Sequence, residues 1–302
     1  MKETHLADRI FGWCLRFFAL ASMALLLGIV VMLFQQAWPI LSQDGLSFFL
    51  SKEWNPVTEE FGALVFIYGT AITSLLALLL ATPLSIAVAL FLTDVSRGWI
   101  SKIISVLVEM LAAVPSVVYG LWGIFVLAPL IRDYVQEPLA NSWGDHWLFS
   151  GPPLGIGVLS ASIILAIMIT PTITSVCREI FNSIGRNQRE ASLALGSTRW
   201  EMMRISVLTS SKTGIFGAVT LGLGRAFGET MAVTMVIGNR NEIATSLMAP
   251  AQTMASLIAN EFGEAVSSLH LAALSGVGLV LLLISLVINL IARWMVRNEV
   301  RV

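Results

Sequence analysis

The chain has 302 residues, of which 56% are hydrophobic and 12% charged, and its formal net charge is −1. Soluble globular proteins carry about 25% charged residues. This composition, with a mean hydropathy of +0.83, therefore excludes a cytosolic enzyme, a disordered scaffold, a collagen-like fibre and a nucleic-acid binder with a basic face. The two cysteines and three scattered histidines supply neither a disulfide framework nor a metal-ligand cluster. We expect a membrane protein without metal or thiol chemistry of its own.

Six apolar segments are long enough to cross a bilayer, which takes about 20 helical residues. They run approximately over residues 10–38, 63–92, 101–131, 154–180, 213–237 and 269–295. None alternates polar and apolar residues as the ~10-residue strands of a membrane barrel do. The first segment could instead be a signal peptide, but its apolar run is too long and no small-residue cleavage site follows it. The sequence predicts an all-α polytopic membrane protein, with residues 1–302 forming one transmembrane domain.

The distribution of positive charge predicts the orientation. With the N-terminus inside, fourteen Lys and Arg residues fall on the cytoplasmic side and three on the external side. Positive charge accumulates on the cytoplasmic side of membrane proteins, so we expect both termini in the cytoplasm. Four prolines interrupt the apolar segments, which predicts bends or breaks there; they are Pro83, Pro115, Pro129 and Pro171.

Residues 181–212 form the longest cytoplasmic loop of this topology. Good helix formers run up to Gly196, which suits a helix end in the left-handed backbone region. Thr198 and Glu201 have the spacing of a capping box at the start of a second helix. That helix would place four apolar residues on one face; they are Trp200, Met203, Val207 and Leu208. The loop predicts a helix, a tight turn and a helix.

This loop resembles the "EAA" loop in the permeases of binding-protein-dependent ABC importers. The residues that carry the resemblance are Glu190, Ala191, Ser192, Gly196, Ile205 and Leu208. Two positions depart from the family pattern, because Ser192 replaces an alanine and Thr209 replaces a proline. The resemblance implies that the first four of these residues belong to a coupling helix that docks into a groove on a partner ATPase.

The fifth apolar segment carries a more specific pattern. Residues 221–234, LGLGRAFGETMAVT, are similar to the signature of PstC-type permeases of bacterial phosphate ABC importers. Residues 62–70, 109–116 and 259–262 agree with the same family, so the resemblance covers most of the chain from about residue 54. It implies a permease subunit of the bacterial cytoplasmic (inner) membrane, which translocates inorganic phosphate delivered by an extracytoplasmic binding protein through alternating access.

The resemblance also implies the partners. They are a sister permease of the PstA type, two ATP-binding subunits of the PstB type, a phosphate-binding protein of the PstS type, phosphate-sensing signalling proteins and membrane lipid, but no nucleic acid. The chain lacks the GxxxxGK[ST] loop that holds ATP phosphates. We therefore expect no catalytic residue, no bound cofactor and no enzyme activity here, with ATP and Mg²⁺ held by the partner ATPase.

Arg225 is a charge placed deep in the fifth segment. It lies thirteen residues beyond Lys212, which is about 20 Å along a helix and well inside a ~30 Å hydrocarbon core. A charge there needs a partner, and Glu229, four residues on, is the nearest candidate, with Glu109 as a further acid. One interpretation is that Arg225 binds phosphate oxygens and Glu229 holds its guanidinium, with Glu109 and Thr230 on the same pathway. The alternative is a structural ion pair that fixes helix packing.

Other functions stay open at this point. The chain could be an ABC permease for another oxyanion or nutrient, a secondary transporter, or a membrane scaffold for phosphate signalling. No internal repeat supports an inverted-repeat secondary transporter. ATP dependence of uptake in vesicles separates an ABC permease from a secondary transporter, which needs no ATPase.

The charge distribution yields a topology prediction. Reporter fusions after Ser142 and after Met254 should score external, and a fusion after Gly185 should score cytoplasmic. Alkaline phosphatase activity reports an external fusion, and fluorescence of a cytoplasmic reporter reports an internal one. A cytoplasmic score after Ser142 would contradict the six-segment topology.

Overall fold

The computed structural model describes residues 6–96, 98–143 and 146–299. Its α-helices in chain order are α1 (Leu6–Asp44), α2 (Ser47–Leu50), α3 (Leu64–Leu90), α4 (Trp99–Ala113), α5 (Ser116–Trp122), α6 (Ala128–Ile131), α7 (Glu137–Trp143), α8 (Val158–Ser183), α9 (Arg186–Ala194), α10 (Arg199–Met202), α11 (Lys212–Gly228), α12 (Met231–Ile237), α13 (Met254–Glu261) and α14 (Ser268–Glu299). Strands β1 (Trp54–Asn55) and β2 (Glu60–Phe61) pair antiparallel. Wider π-helical turns cover Phe91–Val95, Gly123–Leu127, Arg132–Gln136 and Met203–Leu208, and a 3₁₀ turn covers Trp147–Phe149.

Helical stretches in the described residues are long and apolar enough to cross a membrane. They are Asp8–Asp44, Leu64–Val95, Ser116–Ser142, Val158–Ser183 and Ser268–Trp294. These five stretches confirm the all-α polytopic class and correspond to the first, second, third, fourth and sixth predicted segments. The bounds of two predicted segments need correction.

The third predicted segment, residues 101–131, is broken at Pro115. The residue before a proline is pushed out of the helical region, and Val114 is extended with ψ 129°. Pro115 has no N–H to donate to the carbonyl of Leu111, and the Tyr119 hydroxyl donates to that oxygen instead, at 2.7 Å. The continuous apolar stretch therefore starts at Ser116 and extends to Ser142.

The fifth predicted segment, residues 213–237, is also not continuous. Helix α11 ends at Gly228 after 17 residues, Glu229 is extended with ψ 125°, and the 7-residue α12 follows. The break places Arg225 in the last turn of α11, where the unpaired carbonyls of a helix C-terminus favour a cation.

Helices α3 and α8 make the most extensive helix–helix contact in the described part of the chain. The α3 face consists of small buried residues, Ala77, Ala81, Ser85 and Ala89, which let two helices approach closely. The Ser85 hydroxyl donates across the contact to the Thr170 carbonyl at 3.2 Å. Helix α11 packs on α8 and on α14, while α1 packs on α14 at the periphery.

A smaller core lies at the end of the bundle that holds β1 and β2. One carboxylate oxygen of Glu261 accepts the Trp54 indole N–H at 2.8 Å and lies 2.9 Å from His270 Nε2. The Phe61 ring stacks on His270, with 5.4 Å between centroids. These contacts fix the hairpin to α13 and α14.

The packing of Gly69 yields a stability prediction. A Cβ at this position would overlap the backbone oxygen of Gln252, and overpacking of this kind costs about 1–3 kcal/mol. We expect Gly69→Ala to lower the thermal unfolding midpoint of the detergent-purified protein. Gly28→Ala is the matched control, because no atom lies within 4 Å of its added Cβ. Alanine favours a helix over glycine by about 1 kcal/mol, so the unfolding midpoint of the control should not fall. An unchanged midpoint for Gly69→Ala would contradict this close contact.

Candidate functional site

Helix α9 presents the "EAA" residues on an open surface. Glu190, Ala191 and Gly196 are exposed and Ser192 is half-buried. Apolar side chains are also left uncovered around them; Leu195 is 90% exposed, Trp200 60% and Ile205 60%. Exposed apolar side chains of this size indicate a surface that another protein or the membrane covers.

The turn after α9 confirms the conformation expected at Gly196. Its φ is +89°, a region that residues with a Cβ rarely adopt, and its N–H donates to the Leu193 carbonyl at 3.0 Å. The Ser192 hydroxyl lies 2.9 Å from the Ser197 hydroxyl, and the Ser197 O–H donates to the Ser192 carbonyl at 2.7 Å. The serine that replaces the family's alanine is therefore part of the turn.

The second half of the loop begins with the predicted capping box of Thr198 and Glu201. Hydrogen bonds from the Thr198 backbone N–H and then from its hydroxyl hold the pKa of the Glu201 carboxyl below its usual range. A lowered carboxyl pKa means that the cap is intact above that pKa and weakens as the pH falls through it.

The predicted apolar face of this helix is partly wrong. Trp200 is exposed, whereas Met202 and Val207 are buried. The π-helical turn Met203–Leu208 changes the residue period, so side chains spaced for a regular α-helix do not share one face. Thr209 donates its N–H to the Arg204 carbonyl at 3.2 Å, a bond that the family's proline at this position has no hydrogen to make.

Polar contacts of Gln188 and Arg189 attach α9 to neighbouring parts of the molecule. Gln188 Nε2 donates to the Ser210 hydroxyl at 2.9 Å. Arg189 pairs with Asp94 at 3.2 Å and donates through Nη2 to the Phe181 carbonyl at 2.6 Å. Sequence reasoning missed Asp94 and Arg189; the available signal was an acid directly after an apolar segment.

Arg225 lies level with the middle of helix α8. Its Nη1 donates to the Thr172 hydroxyl at 2.9 Å, and Thr172 lies near the midpoint of α8 (Val158–Ser183). Its side chain is exposed. The expected ion pair with Glu229 is absent, since among the described residues no carboxylate lies within 4 Å of the Arg225 guanidinium.

The break between α11 and α12 explains why Arg225 and Glu229 do not pair. Four residues bring two side chains together only along a continuous helix, and the helix ends at Gly228. Glu229 Oε1 accepts the Ala232 N–H at 3.2 Å and so caps α12. Thr230 lies in the break, where its hydroxyl donates to the Gly228 carbonyl at 3.3 Å.

Glu109 belongs to a different contact from the one expected. Arg178 of α8 hydrogen-bonds the Ser105 hydroxyl and lies 3.9 Å from Glu109. Arg178 is six residues beyond Thr172, or about 9 Å further along α8. The structure therefore separates Glu109 from Arg225, and it adds Thr172 and Arg178, which sequence reasoning missed.

Comparisons with known proteins give the family. Residues 81–300 match the model of the family "Binding-protein-dependent transport system inner membrane component". A phosphate transport system permease protein PstC of Mesorhizobium japonicum is 47% identical over 98% of this chain and 91% of its own length. The Pasteurella multocida protein of that name is 44% identical over 97% and 92%. A probable PstC of Methanocaldococcus jannaschii is 37% identical over 85% and 84%.

A solved structure supports the fold. A chain of the MetNI methionine ABC transporter in an inward-facing conformation has a TM-score of 0.60, and the match covers 78% of this chain and 95% of that one. Its sequence identity is 15%, so this likeness concerns the fold alone. Together, the apolar helices, the family model and the relatives show that the chain belongs to the binding-protein-dependent transport system inner membrane components, among the PstC permeases of phosphate transport systems.

Proposed function

We propose that this chain is a permease subunit that translocates inorganic phosphate across the bacterial cytoplasmic membrane, with both termini in the cytoplasm. The observation that carries the proposal is Arg225, a guanidinium level with the middle of α8 whose described partner is the neutral Thr172 hydroxyl. The relatives named as phosphate permeases support the same substrate.

The chemistry of Arg225 suits a phosphate oxyanion. Its guanidinium offers a planar fork of donors that matches two oxygens of one phosphate. An unpaired charge in the membrane is costly, so a position without a carboxylate partner favours a passing anion. Glu229 accepts the Ala232 N–H at the start of α12. Its negative charge keeps Arg225 from binding that anion too tightly.

A polar strip leads from Arg225 along α8. It consists of Thr172, Ser175 and Arg178, spaced three residues apart, and Ser175 is exposed. Hydroxyl and guanidinium donors at this spacing give phosphate hydrogen-bond partners along about 9 Å of the helix. Glu109 lies 3.9 Å from Arg178 at one end of this strip, and we assign Thr230 to the pathway at the Arg225 end.

The exposed side of α11 suits a second permease. An added Cβ at Gly217, Gly224 or Gly228 would meet no atom within 4 Å, and small residues let a second helix approach closely. A sister permease of the PstA type covering this side would close the strip and supply further basic residues. Helix α1, whose apolar window is 0% buried, faces lipid.

The proposed energy source lies on partner subunits. Two ATP-binding subunits of the PstB type hold ATP and Mg²⁺, and the PstS-type protein delivers phosphate from outside. Glu190, Ala191, Ser192 and Gly196 dock α9 into the ATPase; the exposed apolar side chains around them support this role. This chain thus transports without hydrolysing ATP.

Replacement of Arg225 tests the substrate role. We expect Arg225→Gln to reduce ATP-dependent phosphate uptake by about 10- to 100-fold, because a charged hydrogen bond contributes about 1.5–3 kcal/mol. Arg225→Lys keeps the charge but loses the fork and should fall between. The measurement is uptake of radiolabelled phosphate into proteoliposomes with the complete complex. Arg240→Gln is the control, because Arg240 is exposed and pairs with Glu242.

Assembly of the complex separates a substrate role of Arg225 from a structural one. A structural role would act through the bond from Arg225 to the Thr172 hydroxyl, so breaking that bond with Thr172→Val would impair assembly as Arg225→Gln does. We expect Arg225→Gln to lose uptake while the complex still assembles. Loss of assembly in both variants, in step with loss of uptake, would contradict the substrate role of Arg225.

Replacement of Gly196 tests the coupling role. A β-branched residue at φ +89° costs on the order of 1–3 kcal/mol of strain, so Gly196→Val should distort the turn and lower uptake and substrate-stimulated ATP hydrolysis together. Gly185→Val is the matched control, because Gly185 begins the same helix with φ −57°. Normal stimulated hydrolysis in Gly196→Val would contradict the coupling role.

A further inference from the structure

Helix α9, the coupling helix proposed above, is attached to the membrane helices by a buried ion pair. Arg189 Nε lies 3.2 Å from Asp94 Oδ1, and the two side chains are 17% and 5% exposed. The atoms lack the alignment of a hydrogen bond, so weakly screened attraction between the charges holds them. The other described arginine–carboxylate pairs are more exposed and are weakened by water and salt.

Both partners are held in place by further bonds. Asp94 belongs to the π-helical turn that continues α3, and its second oxygen accepts the Thr93 hydroxyl at 2.7 Å. Arg189 donates through Nη2 to the Phe181 carbonyl, near the end of α8, at 2.6 Å. One guanidinium therefore connects α9 with both α3 and α8, the two helices that share the largest contact.

Few other direct contacts join α9 to α3 in the described part of the chain. A cleft of about 850 Å³ lies between them, lined by Asp94 and Val95 on one side and by Arg186, Arg189 and Glu190 on the other. The other side-chain bonds of Gln188, to Ser210 and from Ser206 to its carbonyl, lead to the segment between α10 and α11 instead. Displacement of α9 also reaches α8 through the two residues that join these helices, but among the described side-chain bonds the ion pair is the one that joins α9 directly to the continuation of α3.

We infer that Asp94 and Arg189 form a positioning pair that transmits ATP-driven displacement of α9 to the α3–α8 unit. The inference rests on the proposed function, because it needs a partner ATPase that moves α9. Such a partner can shift the permease between its states only through contacts that carry the displacement. Arg189 directly precedes Glu190, so the docking residue and the transmitting residue share one helical turn.

The test uses the complete complex in proteoliposomes, with sister permease, ATP-binding subunits and binding protein. Asp94→Ala/Arg189→Met removes both charges and leaves no unpaired buried charge, a replacement that is often neutral or stabilising. We expect it to assemble and hydrolyse ATP while phosphate transported per ATP falls about tenfold. Arg189→Lys keeps the charge and should give an intermediate ratio. Arg186→Met, which removes a charge from the same cleft, should keep the wild-type ratio.

A pair that only stabilises the fold would change assembly or thermal stability and leave the ratio unaltered. A wild-type ratio in the assembled double variant would therefore overturn the inference. If the wild-type complex moves no phosphate, the proposed function fails. The pair can still be tested by measuring the distance between spin labels at Val95 and Asn187 in a Cys14→Ser background. We expect ATP to change their separation in the double variant only; an equal change in both proteins would overturn the inference.

Discussion

The contact between α3 and α8 is the interaction on which the other helices depend. Within a bilayer, lipid is as apolar as the side chains, so helices associate through close packing and interhelical hydrogen bonds rather than through the hydrophobic effect. Alanines and Ser85 on α3 permit this approach, and the bond from Ser85 to Thr170 crosses it. Helix α11 then packs against α8, and α12 against α5 and α8, so the position of Arg225 is set by this pair.

Polar chemistry occurs where the helices are interrupted. Pro115 removes a backbone donor, and Tyr119 replaces it. The break after Gly228 frees backbone groups, and Glu229 and Thr230 satisfy some of them. Irregular backbone at membrane depth persists only where protein or a polar cavity surrounds it. The break beside Arg225 therefore agrees with the proposed pathway.

The loop of residues 181–212 combines an open surface with a buried attachment. Glu190 and the apolar residues after it are left exposed, while Arg189 turns inward to Asp94 and Phe181. Helix α9 is held to the rest of this chain by a charge pair, and apolar groups beside it are open to a partner protein. Movement of that partner can therefore be passed to the membrane helices. The same nine-residue helix α9 thus joins the proposed ATPase to the membrane bundle.

The sequence alone determined the helical membrane class, the left-handed turn at Gly196 and the capping box of Thr198, because these follow from composition and from local backbone preferences. It also predicted Arg225 at membrane depth from the helix rise, and the structure places Arg225 level with Thr172, near the midpoint of α8. Tertiary structure decided the partners. Arg225 binds Thr172 rather than Glu229, since a helix break that periodicity does not reveal separates the acid from it. Arg189 pairs with Asp94, 95 residues earlier in the chain, and contacts at such separations arise only when the helices pack.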